Sequence, residues 1–238
     1  MPSSKFPRYW FVIPAAGVGA RMNADKPKQY LLLADKTILE HTLERILTMP
    51  NLAGIVVAIC KEDSYWTSLS IRQNPLIHTV SGGKERADSV LNGLDYLADK
   101  IAVDDWVLVH DAARPCVTLS TIKKLCDELI ESDVGGILAV PVSDTLKQVI
   151  NKNEIQATID RRPLWQAQTP QAFRYKLLRD CLTQMLARNE TITDESSAVE
   201  LCGYVPKVIE GRTDNIKITR PDDLMLAEFI LKQQEKNL

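Results

Sequence analysis

Short apolar runs alternate along this chain with segments of helical period, and that alternation narrows the possible folds more than any other feature. The runs lie at 9–13 (YWFVI), 54–60 (GIVVAIC), 76–80 (LIHTV), 106–110 (WVLVH), 136–140 (GILAV) and 205–209 (VPKVI), with a short one at 216–218 (IKI). Strands interleaved with helices predict a Rossmann-like α/β fold: a mostly parallel sheet with helices on both faces. The intervening stripes agree. A helix opening at Thr37, with Glu40 three residues on as a capping box, puts Leu39, Leu43, Ile46 and Leu47 on one side. Others carry Val90, Leu91, Leu94 and Leu97, then Ile122, Leu125, Cys126, Leu129 and Ile130, then Leu177, Leu178, Cys181, Leu182 and Met185. These stripes are expected to be core.

One stretch breaks the rhythm. Residues 144–162 (DTLKQVINKNEIQATIDRR) read as two short alternating strands around the polar turn Asn151-Lys152-Asn153, an insertion spanning 141–162 at its widest. Such a hairpin either adds an edge to the main sheet or forms an arm that pairs with a second subunit, and the period alone does not choose.

At 238 residues, with 45% hydrophobic and 25% charged side chains, the chain has enough apolar material for one large α/β domain. A net charge of −2, with no long basic run, argues against a nucleic-acid polymer as partner. The five cysteines are odd in number and lack C-x-x-C spacing, so neither a zinc site nor a disulfide framework is indicated. Cys60, Cys126 and Cys181 sit among apolar residues and are expected in the core. No apolar run approaches membrane-spanning length, and MPSSKFPRYW lacks a signal-peptide core, so a cytoplasmic location without membrane contact is expected.

In open parallel sheets, ligands bind where loops converge at the carboxyl ends of strands. Here those loops are PAAGVGARMNADKPK (14–28), SGGKERADS (81–89) and DAARP (111–115), with DNIKITRP (214–221) before the last helix. The first is rich in small residues and followed by cations. It lacks the third glycine of a dinucleotide fingerprint, Met22 standing there, and it lacks the Gly-Lys-Ser/Thr of a Walker loop. What it offers is backbone N–H groups over residues 15–19 that can cradle a triphosphate, with Arg21 and Lys28 to neutralise it. Gly82-Gly83 leading to Arg86 and Ser89 read as a tight turn into a helix N-terminus, where an anionic group is welcome. Asp111 stands after an apolar strand, with Arg114 on the same rim. A carboxylate there suits a hydroxyl or a metal-bound phosphate. His41 and His78 fall within elements and read as structural; His110, beside Asp111, stays open.

Taken in order, PAAGVGARM, KPKQY, GGKERADSV, VHDAARP, PVSDTLK, DRRPLWQAQTP (160–170), TDESSAVE (193–200) and DNIKITRPDDL resemble the motifs of the 2-C-methyl-D-erythritol 4-phosphate cytidylyltransferase family. The resemblance runs from about residue 9 to 230. It implies a nucleotidyltransferase-type fold and a magnesium-dependent transfer of CMP from CTP to a sugar-alcohol phosphate, by a homodimer whose hairpin arms interlock. By carry-over, Pro14, Ala15, Ala16, Gly17, Gly19, Gly83, Ser89, Asp111 and Lys217 line the CTP site, and Arg21, Lys28, Arg161 and Lys217 act on the transition state. Asp111, Arg114, Thr145, Arg161, Thr169 and Thr193 hold the acceptor, Thr145 and Arg161 being candidates for supply across the dimer, and Asp111 is the candidate metal contact.

The chemistry suits these residues. A phosphate monoester with a second pKa of about 6 is largely dianionic at neutral pH, so it attacks without a general base. The barrier is the approach of one polyanion to another, which alignment and charge neutralisation lower. Two alternatives share the loops: a ribitol 5-phosphate cytidylyltransferase, and a CTP sensor without catalysis.

Overall fold

The computed structural model describes residues 8–17, 22, 25–151 and 153–236. In chain order the elements are β1 (Tyr9–Pro14), β2 (Leu32–Leu33), β3 (Lys36–Thr37), α1 (Ile38–Leu47), β4 (Leu52–Ile59), α2 (Ser64–Ser68), β5 (Ile77–Ser81), α3 (Arg86–Tyr96) and β6 (Trp106–Val109). There follow α4 (Leu119–Leu129), β7 (Gly135–Pro141), β8 (Leu146–Ile150), β9 (Glu154–Ile159), β10 (Trp165–Arg174), α5 (Tyr175–Ala187), α6 (Glu195–Leu201), β11 (Lys207–Glu210) and α7 (Asp222–Glu235).

Seven strands form one sheet in the order β11-β7-β10-β6-β1-β4-β5. All neighbouring pairs run parallel except those made by β10, which lies antiparallel between β6 and β7. Alternate residues of β1 explain the apolar runs. Tyr9, Phe11 and Ile13 enter a core with Leu39 and Leu43 of α1 and Ile122 and Leu125 of α4. Trp10 and Val12 enter the opposite core, with Val90 and Leu94 of α3, Leu178 and Leu182 of α5, and Val199 of α6. A strand covered on both faces must be apolar at every position, which is why these strands show no alternation.

α1 begins as the sequence indicates: the Glu40 N–H donates to Thr37 Oγ1 at 3.2 Å, and the Thr37 N–H donates to the Glu40 carboxylate at 2.9 Å. Such a cap is worth about 1 kcal/mol.

Several expectations change. Residues 165–174, which lacked a strand signal, form β10. Ile216–Lys217–Ile218 is not a strand; it is held instead by the Ile218 N–H donating to the Ala113 carbonyl at 2.9 Å. Cys60 is exposed because β4 ends at Ile59, whereas Cys126 and Cys181 are buried. Ile130 falls just beyond α4 and is also exposed. The hairpin forms its own two-stranded sheet of β8 and β9 and adds no edge to the main one. Both its strands are largely solvent-exposed, with Val149, Ile150, Ile155 and Ile159 open to water.

Candidate active site

Chain order places the site. From β1 the chain steps outward through β4 to β5, then returns across the sheet so that β6 pairs with the other side of β1. At that reversal the loops after β1 and β6 part and leave a crevice, the usual ligand position in an open α/β sheet. A cleft of about 280 Å³ occupies it. Its wall is made by Pro14 to Gly17 after β1, Gly83 to Arg86 and Ser89 at the start of α3, Asp111 to Ala113 after β6, and by Lys28, Gln29 and Lys217.

Each of these loops is fixed. The Ala15 N–H donates to the Ala58 carbonyl at 2.7 Å, and Gln29 Nε2 donates to the Ala15 carbonyl at 2.6 Å. Ser89 holds the α3 turn by accepting from the Gly83 N–H at 3.0 Å and donating to the Glu85 carbonyl at 3.1 Å. A Cβ on Gly83 would sit 2.2 Å from that of Asp88, so the turn closes only without one; a Cβ on Gly17 would meet nothing within 4 Å. Lys28 reaches from the short 3-10 turn Lys28–Tyr30 to the Ile218 carbonyl at 3.3 Å, next to Lys217. Gly19 and Arg21 lie outside the described residues.

A second cleft of about 270 Å³ adjoins the first, lined in part by Arg114, Thr169 and Thr193. Arg86, Asp111 and Lys217 line both. This shared wall is electrostatically tight. The Asp111 carboxylate meets Arg86 Nε at 3.2 Å, Arg114 Nε at 3.3 Å and Lys217 Nζ at 2.9 Å. Burial alone would raise its pKa, but Arg86, Lys217 and Arg114 together hold it well below the ordinary carboxylate range. Arg86 also forks onto Glu195, Nη1 to Oε1 at 2.6 Å and Nη2 to Oε2 at 3.1 Å. Burial opposes its charge, yet Glu195 and Asp111 hold its pKa above the ordinary value. The first cleft sets Lys28, Lys84, Arg86 and Lys217 against Glu85 and Asp111, and the second sets Arg86, Arg114 and Lys217 against Asp111 and Asp194, so both linings carry more positive than negative groups, which suits phosphate on either side.

Behind it, His110 is fully buried. The Asp111 N–H donates to Thr169 Oγ1 at 3.0 Å, and Thr169 Oγ1 lies 2.9 Å from His110 Nδ1; His110 Nε2 lies 3.1 Å from the Arg114 carbonyl. A carbonyl only accepts, so Nε2 carries the hydrogen and Nδ1 accepts from Thr169. The Thr169 hydroxyl is thereby engaged inside the protein, although the residue lines the second cleft. Thr145 and Arg161 lie on the arm, exposed and outside both clefts, with Arg161 donating to the Ser143 carbonyl.

Glu195, Gln29 and Asn215 are the site's supports that sequence reasoning missed; Asn215 accepts from Arg114 Nη1 at 2.7 Å through its carbonyl. As a candidate metal contact Asp111 fits poorly, since three cations already surround its oxygens. Among the described residues no three His, Cys, Asp or Glu side chains cluster to hold an ion.

A mostly parallel sheet with a small-residue loop at its reversal point, and two adjoining clefts that share Arg86, Asp111 and Lys217, makes an α/β site suited to two anionic ligands. The family model for 2-C-methyl-D-erythritol 4-phosphate cytidylyltransferase matches residues 10–233. The chain is 55% identical over 225 residues to the enzyme of that name from Aliivibrio fischeri, covering 94% of each, and 53% identical over 219 residues to that from Pseudomonas putida, covering 92% of this chain and 93% of the other. The crystal structure of the Francisella tularensis enzyme superposes with a TM-score of 0.83 at 39% identity, covering 94% of this chain and 99% of that one. The chain belongs to the 2-C-methyl-D-erythritol 4-phosphate cytidylyltransferase family.

Proposed function

We propose that this chain transfers CMP from CTP to 2-C-methyl-D-erythritol 4-phosphate and releases pyrophosphate, with one substrate in each cleft. The observation that carries this is the shared wall of Arg86, Asp111 and Lys217, which places a cationic surface between two adjoining spaces. CTP lies on Pro14 to Gly17, Gly83 and Ser89, and its triphosphate faces Lys28 and Lys217. Gly19 and Arg21, which the family resemblance assigns to the same roles, lie outside the described residues. An oxygen of the acceptor phosphate attacks the α-phosphorus, the bond to the bridging oxygen of the β-phosphate breaks, and pyrophosphate departs with that electron pair. No proton has to move. The protein supplies alignment and charge, so the absence of a nucleophile and base pair in the sequence is no obstacle.

Magnesium would be held mainly by phosphate oxygens of CTP and water, since the Asp111 carboxylate is already paired with Arg86, Arg114 and Lys217, and it would supply charge neutralisation on the triphosphate. The acceptor cleft is completed by a second copy. Thr145 and Arg161, on the arm, stand outside the clefts of their own chain, and the arm's exposed Val149, Ile150 and Ile155 call for cover. The homodimer therefore forms through the arm and carries Thr145 and Arg161 to the partner's acceptor phosphate. No helix among the described residues is long and apolar enough to cross a membrane.

Pyrophosphate release with magnesium and CTP tests the proposal in three arms: methylerythritol phosphate, ribitol 5-phosphate and no acceptor. Release only with methylerythritol phosphate is expected. Release only with ribitol phosphate reassigns the acceptor, and release with neither, despite CTP binding, removes the catalytic role.

A further inference from the structure

Among the described residues, Arg86 is the one guanidinium that lines both clefts, and it is clamped from behind. Its Nε donates to Asp111 Oδ1, and its two terminal nitrogens are taken by Glu195. Glu195 is 1% exposed and lines neither cleft. It stands at the first turn of α6, and that turn is itself bolted to the sheet. The Ser197 N–H donates to the Asp194 carboxylate at 2.9 Å; Gln171 on β10 accepts from the Ser196 N–H at 2.9 Å and donates to Asp194 Oδ2 at 2.8 Å. The planar fork of Arg86, locked bidentately to a carboxylate on a rigid support, has no freedom to rotate.

We infer that Glu195 is a positioning residue for both substrates, acting through Arg86 to keep Asp111 and Lys217 in place on the wall between the clefts. With its charge removed, the largely buried guanidinium retains a single carboxylate, Asp111. It then closes on Asp111 and competes with Lys217, which is exposed and lines both clefts. The sites for nucleotide and acceptor thus loosen together, although Glu195 touches neither. The inference rests on the cytidylyl-transfer function proposed above.

The test is Glu195→Gln in the full-length protein. CTP binding with magnesium is read by titration calorimetry, and KM for each substrate by pyrophosphate release, with thermal melting alongside. Loss of one charge-assisted contact to Arg86 predicts a rise of about tenfold in the CTP Kd and in KM for the acceptor, larger than any fall in kcat. A purely structural role lowers the active fraction instead, so that kcat falls while Kd and both KM values stay put; that result overturns the inference. In an Arg86→Lys background, Glu195→Gln is expected to add less than twofold, and full additivity also overturns it. If Glu195→Gln fails to fold, Glu195→Asp decides: it keeps the charge but is one methylene short of the bidentate grip. Raised Kd and KM in that variant support the inference, and wild-type values refute it. A wild-type chain that neither binds CTP nor releases pyrophosphate refutes the functional proposal and this inference with it, whereas an active wild type with unchanged variants refutes the inference alone.

Discussion

Lowering the pH should unlock the site's floor at one residue. His110 is neutral and fully buried, and burial pushes its pKa from the ordinary 6.5 down to about 4. The sign follows from linkage. Below pH 6.5 the unfolded chain takes up a proton at this ring while the folded chain does not, so the stability it contributes is complete above that value and drains away as pH falls towards 4. The full gap corresponds to about 3 kcal/mol, of which about 2 kcal/mol is lost between about pH 7.5 and 5. Asp111 pulls the same way but lower: its pKa is held beneath the ordinary 3.8, so its share is lost below about pH 5. The window above pH 5 therefore isolates the histidine from Asp111. Urea unfolding followed by circular dichroism, at fixed protein concentration across that window, should show the slope in the wild type. The same series on His110→Asn should lose the 2 kcal/mol component whatever that variant's absolute stability. Parallel curves for the two proteins would refute the burial argument and the tautomer deduced from it.

Lys28→Ala removes a preorganised cation from the triphosphate side and should lower turnover by about a hundredfold or more, about 3 kcal/mol, with the melting temperature little changed; near-normal turnover would exclude Lys28 from the mechanism. Replacing residues 144–162 by a short Gly-Ser turn should leave a monomer by light scattering, since it deletes the exposed apolar strands β8 and β9, and a persisting dimer would place the interface elsewhere. Arg161→Ala and Lys28→Ala, each nearly inactive alone, should recover about a quarter of wild-type activity when unfolded and refolded together. Half the dimers are then mixed, and one of their two sites keeps its own Lys28 and receives an intact Arg161 from the other chain. No recovery would mean that Arg161 serves its own chain.

What the sequence shows and what it hides divide along physical lines. Strands β1, β4, β6 and β7 are legible because cover on both faces forces continuous apolar runs. Gly82 and Gly83 are legible because a Cβ on either would sit within 2.4 Å of a neighbouring side chain, Ala16 or Asp88, so the turn admits none. β10 is hidden because several of its buried positions are polar. Its buried positions include Gln168, Thr169 and Gln171, which satisfy Asn215, His110 and Asp194 in place of packing on the core, and its pairing with β7 shifts register between Ala167 and Gln171. Polar residues in a strand's interior erase the pattern by which strands are recognised, and they do so where function needs them. The arm's alternation is visible, yet alternation specifies a face and not its partner, so the sequence leaves edge and arm open while the separate β8–β9 sheet excludes the edge. The link between Arg86 and Glu195 spans 109 residues and leaves no local trace at either end. Each residue alone looks like a charge in the first turn of a helix. The crossing of the chain between β5 and β6, with β10 laid between β6 and β7, brings the α3 and α6 termini together, and there two ordinary charges become a cation of the shared wall and the buried carboxylate that clamps it from behind.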